Sequence, residues 1–146
     1  MKFINYRPIA ACLFLLLPYS CKKTVIKEVC KKRIVKSVTI LQLPDGIDTF
    51  SNPDLKCNLS PSNSDYYAYS SNTIDNVSSL PITITFQNDI LMSKESWNIQ
   101  LLDEDLVGIQ EIYLTSFNPY EGESDGSIKF TKDEEIVMKL NYTEHE

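Results

Sequence analysis

The chain has 146 residues, 42% of them hydrophobic and 10% aromatic, with a formal net charge of −6. That length and composition suit one globular domain with extensions, and exclude a wholly disordered chain. The charge is unevenly divided: residues 22–36 carry seven bases and one acid, whereas residues 37–146 carry five bases and 19 acids, a net of −14. A domain so acidic repels nucleic acid, so no nucleic-acid partner is expected despite the basic arm. It is suited instead to gathering cations.

In chain order, Met1 to Ser20 form a leader to be set apart from the fold. Lys2 and Arg7 supply a positive start, and residues 9–17 are an apolar run of nine. A bilayer needs about twenty apolar residues, so this run is too short to span one. Pro18-Tyr19-Ser20 then lead into Cys21. A short apolar run, a small residue and then Cys resembles a bacterial lipoprotein signal peptide. The position three before the Cys is Leu in most of that family; here it is Pro18, with Leu17 one step further back. The resemblance implies cleavage before Cys21, lipid on its thiol and an acyl chain on its amine. It therefore implies a lipid-anchored protein of the bacterial cell envelope, on the outer membrane. The residues alone leave open an ordinary secretory signal or an uncleaved anchor.

Residues 21–33 are expected to be a basic tether. Its Lys and Arg side chains would lie against anionic headgroups, each adding roughly 1 kcal/mol at most. Several acyl chains on one residue hold a protein to a membrane stably, where one chain is marginal. Cys12 leaves with the leader and Cys21 takes lipid, so Cys30 and Cys57 remain. In an oxidising compartment they form an even pair: either a Cys30–Cys57 disulfide, or a free Cys30 with Cys57 as a small buried apolar residue.

Residues 34–146 show no amphipathic helix. Short β-branched and aromatic runs are divided by Pro, Asn, Asp, Gly and Ser clusters. Strands are expected over 34–43, 54–59, 66–69, 82–87, 97–101, 112–117, 127–130 and 136–142. The clearest is Ile82, Ile84 and Phe86 alternating with Thr83, Thr85 and Gln87. Eight short strands in one domain predict an all-β antiparallel sandwich.

Two acidic loops interrupt these strands. One holds Asp48 and, six residues on, Asp54, with Asp45 as a substitute for Asp48. The other is Asp103-Glu104-Asp105-Leu106-Val107-Gly108-Ile109-Gln110-Glu111. Carboxylates at such spacing suit calcium, which takes six to eight oxygen ligands. The ordered pair of loops resembles the C2 domain, an eight-stranded calcium- and lipid-binding sandwich. Asp54 opens a strand as in that family, although Pro53 precedes it rather than a proline following. Asp103, Asp105 and Gly108 match the family's later loop; Glu111 stands where it has a third Asp.

The resemblance implies that Asp48, Asp54, Asp103, Asp105 and Glu111 converge at one end of the sandwich and bind calcium. Ile47, Phe50 and Leu106 would form apolar loop tips or fold back onto the core, and Val107 and Ile109 are expected to fold back. An anionic lipid surface or an envelope protein would be the partner. The alternative is a calcium-independent structural or assembly lipoprotein. An enzyme is not expected. The single His145 lies one residue from the C-terminus, and no nucleophile elbow, zinc-protease motif or phosphate loop is present.

Overall fold

The computed structural model describes residues 31–44, 47, 51–105, 108–121 and 125–145. Eight strands fill most of that length: β1 Lys32–Ile40, β2 Leu55–Pro61, β3 Tyr69–Ser70, β4 Ile82–Met92, β5 Trp97–Asp105, β6 Gly108–Phe117, β7 Ser127–Lys132 and β8 Glu135–His145. They form two four-stranded antiparallel sheets, ordered β4-β1-β8-β7 and β3-β2-β5-β6. The fold is the expected all-β sandwich. Both sheets feed one core: Val35, Val38, Ile40, Ile84 and Leu140 from the first, Leu55, Cys57, Leu59, Trp97 and Ile99 from the second. These are alternate positions of each strand, as period-two patterning requires, except in β1, where a bulge between Val35 and Ser37 sets Val35 and Val38 three apart.

Several strand limits differ from expectation. The segment over 66–69 shrinks to the two residues of β3, where Tyr69 stacks on Trp97 with ring centroids 6.0 Å apart. β4 runs five residues further, and β6 starts four residues earlier. At the β7–β8 turn, Asp133 and Glu134 both have positive φ, 51° and 70°. Two such residues in a two-residue hairpin loop match the twist of the flanking strands.

The domain begins before Ile34. Arg33 lies in β1 and is buried, so the basic stretch does not stay solvated to its end. Its Nε donates to Glu144 Oε1 at 3.1 Å, and Nη1 donates to the Pro119 carbonyl. The guanidinium also sits 4.3 Å from the Tyr142 ring centroid, close enough for a cation–π contact. Tyr120 closes the cluster by accepting from the Arg33 N–H and donating to the Met92 carbonyl. A delocalised, weakly hydrated guanidinium is the cation best suited to such burial.

Cys57 is a fully buried free thiol facing the core, and burial pushes its pKa up. The structure thus shows no bridge at Cys57. Its supposed partner Cys30, the lipidation residue Cys21 and the leader lie outside the described residues.

Removing Arg33 leaves the half-buried Glu144 carboxylate with Lys31 as its remaining partner and unpacks two aromatic rings. Arg33→Ala should lower stability by about 2–3 kcal/mol, near the low end for breaking a buried pair because Glu144 keeps some water. Urea unfolding of the chain from residue 22 onward checks this. A fragment starting at Ile34 should lose at least as much.

Candidate functional site

The two sheets share their poles. Tyr120, just past β6, reaches Met92 and Arg33 at one pole. At the other, Gln42 and Pro44 line a cavity with Leu101, Ile112, Lys132 and Met138. The second pole collects the β1–β2 connection, the β3–β4 connection, the β5–β6 turn and the β7–β8 turn.

β2 and β5 pair there with Leu55 opposite Asp103 and Cys57 opposite Leu101. Leu55, Cys57, Leu101 and Ile99 all face the core, so Asp103 takes the next place in an apolar row. It is 1% exposed. Its Oδ1 accepts the Asp54 N–H at 2.8 Å. Its Oδ2 is buried and has no hydrogen-bond partner among the described residues. A carboxylate stripped of water with one oxygen unsatisfied is costly. A cation is the partner that chemistry asks for.

Asp54 prolongs the ladder: its carbonyl accepts the Glu104 N–H at 2.8 Å. Its Oδ1 accepts the Asn76 N–H at 2.7 Å, which ties in the β3–β4 connection. That connection is further joined to β2 by paired backbone bonds between Leu55 and Ile74. Asn76 has φ 52°, a left-handed conformation that Asn tolerates better than most residues. Asn76 and its neighbour Asp75 were not picked out from the sequence, since one polar loop among several carries no spacing signal. The cue lay in Asp75-Asn76, a pair suited to turns.

Asp105 ends β5, two residues on from Asp103 and so on the same face. Glu104 points the other way. Lys56 Nζ lies 3.0 Å from both of its carboxylate oxygens, and Thr73 Oγ1 donates to Oε2 at 2.8 Å. These bonds, that from Lys56 first, hold the Glu104 pKa below its ordinary value.

Glu111 does not join the cup. The stretch expected to be an open loop is paired as two antiparallel strands up to Asp105 opposite Gly108. The apolar and aromatic residues after Gly108 continue the strand, and strand pairing overrides the loop. A register shift between Leu101 and Leu102 then sets Glu111 opposite Leu102. There it accepts from Gln100 Nε2 at 2.7 Å, on the outer face of the sheet. Tyr67 lies close to it: burial, and secondarily the Glu111 charge, raise the Tyr67 pKa.

Asp48, Asp45, Phe50, Leu106 and Val107 lie outside the described residues. Ile47 is half-buried and Ile109 is exposed. Among the described residues, no three Asp, Glu, His or Cys side chains come together closely enough to hold a metal ion. Asp54, Asp103 and Asp105 thus offer the right kind of donor but not a complete set.

Comparison with protein-family models and with curated proteins gives no match. Among solved structures, the chain is similar to human GIVD cytosolic phospholipase A2 in complex with methyl gamma-linolenyl fluorophosphonate. The TM-score is 0.52 at 16% sequence identity, covering 78% of this chain and 16% of that one. The chain therefore corresponds to a small part of that enzyme. The phospholipase has a C2 domain, and the likeness together with the two sheets fits a C2-like fold. At this identity the likeness concerns the fold alone.

Two measurements probe this pole. In chelator, Asp103→Asn should raise stability by about 1 kcal/mol, because a buried charge with an unsatisfied oxygen becomes a neutral amide; urea unfolding reads the change. Glu104 has a depressed pKa, so its contribution is present above the unfolded glutamate value and is lost as pH falls through the folded one. Glu104→Gln should therefore be less stable near neutrality and should flatten the acid limb of a stability–pH curve.

Proposed function

We propose that this protein is a lipid-anchored component of the bacterial cell envelope, held on the outer membrane through Cys21. Its C2-like sandwich binds calcium at the acidic pole and, once loaded, contacts a membrane surface or an envelope protein. The observation that carries the calcium reading is the buried Oδ2 of Asp103, unpartnered among the described residues, next to the Asp54 backbone. Asp103, Asp105 and Asp54 would supply carboxylate oxygens, with Asp48 or Asp45 completing the set from the β1–β2 connection. Calcium is the fitting cation, since every donor is a hard oxygen and no His or Cys accompanies them. Its role here is binding rather than catalysis.

A second reading is a calcium-independent structural or assembly lipoprotein. The strand pairing of Asp105 with Gly108 and the displacement of Glu111 favour it, because both shorten the ligand set.

Calcium separates the two readings. A ligand that binds only the folded state stabilises by mass action, about 2.7 kcal/mol at a hundredfold excess over Kd. The chain from residue 22 should show heat of binding in calorimetry and a higher Tm in millimolar calcium. Asp103→Asn should abolish both. A Tm indifferent to calcium and to chelator would select the second reading.

A further inference from the structure

Each sheet ends in edge strands, whose outward backbone groups the sheet itself leaves unpaired. On one side of the sandwich, β3 and β4 are bridged through Ser71 and Phe86, and Gln87 Nε2 donates to Asn72 Oδ1 at 2.9 Å. On the other side, β7 is six residues long and carries Lys129 and Lys132, charges of the kind that keep a second strand off an edge. β6 has ten residues, no Lys, Arg or Pro, and a single charge, Glu111. Among the described residues, no group outside β5 bonds a backbone N–H or C=O between Gly108 and Thr115.

The outer face of β6 is also apolar. Ile109 is 66% exposed and Leu114 50%, two of the four large hydrophobic side chains exposed among the described residues. Their partners on β5, Glu104 and Gln100, point away from the core, so both lie on the outer face of the sheet. Strand residues five apart ordinarily fall on opposite faces. The bulge at Ile112, which has no partner on β5, brings these two to one face.

That placement is self-complementary. A second β6 can be set antiparallel along the free edge, about an axis between Glu111 and Ile112. Ile109 then faces Leu114 of the second copy, and Leu114 faces Ile109 of that copy. Gln110 faces Tyr113 and Gly108 faces Thr115, inner side against inner side. Directly opposed apolar pairs on one face are what stabilises strand pairing, and two-fold symmetry makes the match twice. The two bulges meet at the axis. The Glu111 carboxylates lie near it, each held back by Gln100 Nε2 of its own chain at 2.7 Å.

We infer that β6 is a self-association edge: two copies pair antiparallel through it and join their β3-β2-β5-β6 sheets into one. The inference rests on neither calcium nor the lipid anchor.

The test uses the full chain in neutral detergent at about 0.15 M salt, which screens most of the repulsion between two acidic domains. The photo-crosslinking residue p-benzoylphenylalanine replaces Gln110. Irradiation should give a covalent dimer whose cross-link maps to the stretch from Ile112 to Leu114 of the second copy. The same probe in place of Leu91, an exposed apolar site on β4, should give at least tenfold less dimer. With the probe kept at position 110, Ile109→Lys with Leu114→Lys opposes lysines across the axis and should cut the yield at least tenfold. Ile109→Glu with Leu114→Glu should do the same. Mixing the two variants opposes Lys to Glu and should restore the dimer. Circular dichroism melts check that the variants fold; if either does not, the comparison of positions 110 and 91 still decides. Equal yields from 110 and 91, a cross-link mapped elsewhere, or a mixture no better than its components would overturn the inference. A chain that gives no dimer would overturn it too, and would leave the edge to an extended strand of a different protein.

Discussion

Antiparallel register between β2 and β5 sets Asp103 opposite Leu55, so a carboxylate takes the last inward place of an otherwise apolar row. A slip of one residue would turn every core side chain of β5 outward, so burial of Trp97, Ile99 and Leu101 holds Asp103 where it is. The same register makes Asp54 the next rung. Its carbonyl accepts from Glu104, its amide serves Asp103 and its carboxylate holds Asn76. Three connections are gathered at one pole by groups that all depend on that register.

The opposite pole is organised by a different buried charge. Arg33 is surrounded by a carboxylate, a carbonyl and two aromatic rings, so its hydrogen bonds and its face are both used. Asp103 has one oxygen served and one not. The contrast separates a charge that closes the structure from one that invites a ligand. It also separates the pole through which the chain enters from the pole that offers its acids.

The alternation of Ile82, Ile84 and Phe86, and of Trp97, Ile99 and Leu101, was enough to foresee a sandwich. Both runs have one buried face, and period two is then compulsory. The β5–β6 turn was not legible in the same way. Acid spacing over 103–111 resembled a metal loop, but Ile109, Ile112 and Leu114 favour a strand, and pairing with β5 decides between them. A register shift at Leu101/Leu102 then sets the face on which Glu111 falls, and no sequence pattern announces a bulge. Arg33 was hidden for a related reason. It sits at the end of a basic run, and only its partners 86 to 111 residues away show that it is packed.

Calcium at Asp103 is the claim on which the functional account turns. Its most direct test is the carbon-13 shift of the Asp103 side-chain carboxyl during a calcium titration of the folded domain. The account predicts a saturable shift of that carbon, with the Asp54 amide moving in step because its hydrogen bond ends on the same carboxylate. An Asp103 signal that stays fixed to millimolar calcium, whatever the exposed acids do, would contradict it.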